Sequence, residues 1–365
     1  MVANHLKGLV KRAFQPKARK AILGQHPYGG PDDGSMTFVV VVREGFNINV
    51  PNANSTSRLG FCRGFAEIGV RYHLVSVFEI EGILPQLRKP FVFLSEYDYL
   101  DMTRGARKIL RDYPHFVWVR PNFEVLQEVA SKFGTTYART SPRVYRRVLE
   151  SQPNFVWGNV PPSCLEFYSE WEKLGLRLEA IPLACDTGRY YPEAENRGYA
   201  EVKMAFVGGY WSRKAIQFDK YLKPYEDIMT VFGYSSWPYK GYRGLLPEGD
   251  EKVLYRNALV SPAISEPHAE VMGDIVERAF KIMGSGGLAI TDVVRFYSEL
   301  FAPDELLVPS NLEEYHNMVH LALTDEDFNR RYRKKGYQAV LDRHTYAHRA
   351  RTILGFLGVD QAPGH

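Results

Sequence analysis

The chain has 365 residues, more than one compact domain of ordinary size, so two domains are expected. Hydrophobic residues at 45% and charged residues at 24% are globular values, which excludes disordered and fibrous classes. A net charge of +4 suits an anionic ligand but is too diffuse for a nucleic-acid surface. Cys62, Cys164 and Cys185 fit neither a disulfide framework nor a zinc site, so a reducing compartment is expected. No run of 18 apolar residues occurs, and the first residues lack the apolar core of a secretory signal; the expected location is the cytoplasm.

The chain opens on a basic arm, residues 1–35. Leu6, Leu9, Val10, Ala13 and Phe14 fall at helical spacing among Lys7, Lys11, Arg12, Lys17, Arg19 and Lys20. Two readings stay open: a peripheral helix or arm, and contact with an anionic membrane surface. A Gly/Pro/Asp-rich breaker fills 24–35.

Short apolar runs then alternate with helical spacing. The runs are TFVVVV (37–42), YHLVSV (72–77), FVFLSE (91–96), HFVWVR (115–120) and LRLEAIPLA (176–184). Helical stretches between them are predicted at 56–68, 103–111, 124–133 and 164–174. Near-continuous apolar strands separated by amphipathic helices indicate parallel strands covered on both faces, hence a doubly wound α/β lobe over 36–188. A second series follows: KMAFVG (203–208), IMTVFG (228–233), NALVSPA (257–263), GLAITD (287–292) and ELLVP (305–309). It predicts a second lobe over 200–340. The last residues, 341–365, read as a helical tail packing back across the lobes.

In open parallel sheets ligands bind beyond the carboxyl ends of the strands, so the strand-to-helix turns are the places to search. In FVGGYWSRKA, Gly208 and Gly209 let the backbone approach an anion, and Arg213 and Lys214 add charges suited to a diphosphate. A bare tight turn with a solvated basic pair is the alternative. In SEPHAEVMGDIVERAFKIMGSGG, Asp274 and Glu277 read as an N-cap with its capping box. The loop before them carries Glu266, His268, Glu270 and Gly273, polar groups able to read sugar hydroxyls. Glu277 and Lys281 read as a solvent-exposed helix pair, or Arg278 and Lys281 as groups reaching ribose or phosphate. The turn at 231–244 either offers Tyr234 or Trp237 as a platform for a base or simply covers the lobe.

With these pieces in order, the second half resembles the CgeB-like (spore-maturation protein) glycosyltransferases of the GT-B superfamily. The likeness rests on FVGGYWSRKA, ERAFKIMGSGGLAITD, ELFAPDELLVPSNLEEYHNMVHLAL and GYQAVLDRHTYAHRARTILGFL, preceded by IPLACDTGRYYP, and covers about 180–357. The resemblance implies a GT-B fold of two Rossmann-like doubly wound lobes facing a cleft, with a nucleotide-sugar donor on the second lobe and an acceptor on the first. It implies transfer to a glycan, lipid-linked or protein acceptor, a UDP- or GDP-type donor as substrate, and neither a cofactor nor a bound metal. Lys281 stands where many relatives carry a ribose-binding glutamate. On the acceptor side, Glu96 and Asp98 follow the third strand, and Asp98 is the candidate base, with His268 and Glu96 as further catalytic candidates. A nucleotide-sugar epimerase and a non-catalytic binding or assembly protein are the competing readings; a dinucleotide-dependent oxidoreductase ranks below them because no GxGxxG follows the early strands.

Overall fold

The computed structural model describes residues 21–24, 27–30, 36–49, 53–134, 136–137 and 139–359. The apolar stripe of the basic arm lies outside the described residues, and so does any membrane contact it would make. The first sheet has seven strands: β1 (Tyr28–Gly29), β2 (Thr37–Val42), β3 (Arg71–Ser76), β4 (Pro90–Ser95), β5 (His115–Trp118), β6 (Phe155–Gly158) and β7 (Leu178–Ala180). Their order is β1-β3-β2-β4-β5-β6-β7, and every neighbouring pair is parallel except β1 with β3.

All six residues of β2 are buried. Phe38, Val40 and Val42 pack into one core cluster while Val39 and Val41 pack into another. Two covered faces explain why the run is continuous rather than alternating. Among the elements that went unanticipated are β6 and the helix Pro142–Ser151. Phe155-Val156-Trp157 is too short an apolar run to stand out, and it becomes a strand because β5 and β7 flank it in register. The edge strand β1 lies inside the breaker. The run at 176–184 contributes only three strand residues before the chain leaves the sheet.

The second half repeats the winding. β8 (Met204–Val207) pairs in parallel with β9 (Met229–Phe232), and β10 (Ser261–Ala263) with β11 (Ala289–Thr291). A parallel bridge from Met204 to Val260 joins the two ladders, giving the order β9-β8-β10-β11. The anticipated strand at 305–309 is reduced to one bridge, Leu307 to Ile290. In both halves the chain runs from the first strand to one side and then crosses to the other, so each has a switch point: β2/β4 in the first, β8/β10 in the second.

The chain crosses between the halves twice, and the crossings meet in a parallel bridge, Cys185 to Thr345. Thr345 then caps the helix Tyr346–Phe356, with His348 completing the capping box. This helix lies against the helix Ala53–Glu67 of the first lobe. Gly60 and Gly64 allow the approach, since a Cβ at Gly64 would stand 2.4 Å from the Tyr346 backbone carbon. Among the described residues no helix is long and apolar enough to cross a membrane.

One local expectation is corrected. The helix Glu277–Gly284 starts two residues later than predicted, with Val276 at its N-cap and no side-chain cap. Asp274 and Glu277 form no capping box, because partners from the first half claim both carboxylates.

Candidate functional site

Four strand ends of the second half converge on one mouth. β8 runs into Gly208-Gly209, β9 into Gly233-Tyr234, β10 into Ser265-Glu266 and β11 into Asp292. The turns are locked tightly. A Cβ on Gly233 would sit 2.0 Å from the Gly208 carbonyl oxygen, which accepts from Trp237 Nε1 at 2.9 Å. The Gly208 amide is itself committed to the Phe232 carbonyl at 2.9 Å. Of the glycine pair, therefore, Gly209 carries the amide without a protein partner among the described residues. Beside it the exposed rings of Trp211 and Tyr234 lie 5.6 Å apart.

Arg278 holds the switch point. Its Nε donates to the Val207 carbonyl at 3.0 Å and its Nη1 to the Ile264 carbonyl at 3.1 Å, tying the ends of β8 and β10 together. Its Nη2 points toward Gly208. Lys214 is different in kind. It is half-buried and, among the described residues, its ammonium has no hydrogen bond or ion pair. Burial, with the Arg278 charge second, lowers its ammonium from 10.5 to about 8; Glu266, Asp292 and Asp274 pull the other way. An ammonium held in a cleft without a counter-ion is suited to receive an anion. Arg213 lies over the Tyr137 ring at 5.2 Å.

Facing these cations is a polar chain crossing from the first half. Tyr137 donates to Glu266 Oε2 at 2.9 Å, and its oxygen lies 2.9 Å from His268 Nδ1. His268 Nε2 lies 3.2 Å from Asp274 Oδ2, and Asp274 Oδ1 accepts from Asn159 Nδ2 at 2.9 Å. Asn159, at the carboxyl end of β6, also donates to the Ile275 carbonyl. The carboxyl ends of the two sheets therefore face each other across this site. Glu270, by contrast, is taken up by Gln217 and Tyr221, and Gly273 caps the short helix Ala269–Met272 at φ +70°, where a Cβ would meet Cys164 Sγ at 2.4 Å.

Glu277 and Lys281 lie elsewhere, and their pairing is not solvent-exposed. They meet at 2.8 Å, both buried. Glu277 also accepts from Thr56 and Tyr346, each at 2.6 Å, and Lys281 Nζ lies 3.1 Å from the Thr56 hydroxyl. The quartet is a clamp between the halves, formed because the helices Ala53–Glu67 and Tyr346–Phe356 cover that face.

On the first lobe, Glu96 and Asp98 follow β4 at its switch point. Glu96 pairs with Arg120 and accepts from Thr140. Asp98 is fully buried; Oδ2 accepts from the Ser95 amide at 2.6 Å and lies 3.3 Å from Arg58, while Oδ1 has no hydrogen-bond partner among the described residues. Burial raises its proton affinity, with Arg58 opposing. Tyr97 between them is exposed and feels Arg120, Arg213 and Arg43, so the two sides of the cleft share a field.

Tyr137, Asn159, Thr56 and Asp292 escaped the sequence reading. Tyr137 sits in a loop without periodicity. Asp292 had a usable signal, a carboxylate closing the apolar run GLAIT; burial pushes it up to about 6. A cavity of about 260 Å³ lies elsewhere, lined by Gly60, Arg63, Gly64, Asp186 and Tyr346. It shares no residue with the charged mouth, where the unpaired cation, the perturbed acid and the convergent strand ends all lie; the mouth is the stronger candidate.

Residues 199–355 match the family model described as glycosyl transferase-like. No curated protein sequence matches the chain. Among solved structures, sucrose-phosphate synthase from Thermosynechococcus elongatus is similar with a TM-score of 0.59 at 14% identity, covering 89% of this chain and 98% of its own. The Anabaena protein HepE, solved with UDP and glucose, is similar with a TM-score of 0.59 at 9% identity, covering 89% and 100%. The β-glucosyltransferase of phage T4 gives 0.56 at 11% identity, covering 89% and 100%. The fold is GT-B.

Proposed function

We propose that the protein is a glycosyltransferase that takes a sugar from a nucleoside-diphosphate sugar bound at the second-lobe mouth. The observation that carries this reading is Lys214, a half-buried ammonium without a partner among the described residues, at the turn that follows β8. The family match over 199–355 and the GT-B fold support it. In this reading Lys214, Arg213 and the Arg278 Nη2 neutralise the diphosphate as it leaves, the role that fixed cations perform in group transfer without a metal ion. Tyr234 and Trp211 flank the nucleotide side of the turn, and Glu266, His268 and Asp274 read sugar hydroxyls. A UDP-type donor agrees with the neighbours solved with UDP or UDP-glucose. The CgeB-like assignment is part of the same proposal, with ribose held by a group other than Lys281, which the inter-lobe clamp occupies.

On the first lobe Asp98 is the proposed base for an acceptor hydroxyl: its Oδ1 has no hydrogen-bond partner among the described residues, and because the side chain is fully buried the turn after β4 must open for it to act. Glu96, bound by Arg120 and Thr140, holds the turn. A glycan, lipid-linked or protein hydroxyl is the proposed acceptor.

The test is a thermal-shift panel of UDP, GDP, dTDP, CMP and their common sugars without added metal. A ligand at 100 times its Kd adds about 2.7 kcal/mol to the native state. Stabilisation by one nucleotide family, lost in Lys214→Ala, supports the reading. A folded protein that none of them stabilises refutes it and favours a non-catalytic binding protein.

A further inference from the structure

The chain Glu266–Tyr137–His268–Asp274 is built from both lobes, and its first-lobe member has no part in the reading above. Tyr137 lies between the helices Phe123–Lys132 and Pro142–Ser151, yet its hydroxyl contacts both Glu266 and His268 at 2.9 Å. The His268 ring stands edge-on to the Tyr137 ring at 5.3 Å. Arg213 lies over the Tyr137 ring at 5.2 Å. We propose that Tyr137 is a positioning residue for the donor sugar: delivered by the first lobe, it sets the orientation of Glu266 and His268. The proposal rests on the nucleotide-sugar reading of the cleft.

Three contacts join the four side chains, Glu266 to Tyr137, Tyr137 to His268 and His268 to Asp274. From the second lobe Arg213 and Lys214 stand beside them, and from the first lobe Asn159 binds Asp274. Diphosphate binding, through Gly209, Arg213, Lys214 and Arg278, does not need the Tyr137 hydroxyl, and phenylalanine keeps the ring under Arg213.

The experiment compares wild type with Tyr137→Phe as full chains, measuring Kd by calorimetry for the nucleoside diphosphate and the nucleotide-sugar that the panel selects. Tyr137→Phe is expected to leave the diphosphate Kd within about twofold and to weaken the nucleotide-sugar by about tenfold, the loss of one hydrogen bond to a charged group. Equal weakening of both ligands would show a merely structural role and overturn the proposal, as would no change in either. If Tyr137→Phe does not fold, His268→Gln cuts the same chain from the second lobe and must show the same sugar-selective loss. Wild type that binds neither ligand overturns the nucleotide-sugar reading itself, a result distinct from a failed selectivity.

Discussion

Replacing Lys214 with methionine should raise stability and lower ligand affinity together, and the opposed signs make the prediction sharp. In the folded protein the ammonium is lowered from 10.5 to about 8 by burial and by Arg278. Between those values the unfolded chain binds the proton more tightly, so stability rises with pH across the window; below pH 8 the full penalty is present. At about 1.4 kcal/mol per unit, the shift corresponds to about 3 kcal/mol. Part of the side chain reaches solvent, which reduces this to about 1–3 kcal/mol. Lys214→Met keeps the aliphatic stem and removes the charge. At pH 7 the ligand-free variant is expected to melt a few degrees above wild type, the gain shrinking as the pH approaches 10. The same change removes a charge-assisted contact to phosphate, so the Kd for UDP or GDP, whichever binds, should rise at least tenfold. Scanning fluorimetry across pH and calorimetry with the nucleotide give both numbers. A less stable variant at pH 7, or unchanged nucleotide affinity, would refute the view of Lys214 as a cation kept unpaired for an anion.

Lys281→Glu should destabilise the protein. It places a second carboxylate beside buried Glu277 and removes its cation, a loss of about 3–5 kcal/mol in urea unfolding that eases as pH falls and one carboxyl protonates. Wild-type stability at pH 7 would show that the clamp contributes nothing. Gly233→Ala drives a methyl to within 2.0 Å of the Gly208 carbonyl, so the two turns must part; about 1–3 kcal/mol of stability and most nucleotide affinity should go, read by melting and titration. Asp292→Asn tests the acid below the mouth. Burial pushes its carboxyl from 3.8 up to about 6, so the folded protein binds that proton more tightly and stability falls as pH rises from about 4 to 6. The asparagine variant should match wild type near pH 3.5 and exceed it above pH 6; equal melting curves at pH 8 would count against the raised value.

β2, β3, β4, β8 and β9 could be read within a residue or so, because strands covered on both faces leave continuous apolar runs that few solvent-facing residues interrupt. The turns that matter were equally visible, since glycines and basic residues at the end of such runs are local signals. From these followed two doubly wound lobes and the places where polar side chains would gather. What the sequence could not carry was pairing over long separations. Glu277 and Lys281, four apart, look like an exposed helix pair until Thr56, 221 positions before Glu277, and Tyr346 close over them. Asp274 looks like a helix cap until Asn159, 115 positions earlier, takes its carboxylate. Tyr137 has no local pattern, and its hydroxyl acquires a role only when the two sheets turn their carboxyl ends toward each other. Hydrophobic periodicity is written along the chain because each element must bury one face or two; which polar side chains meet is decided by how the lobes dock, and only the tertiary structure decides that.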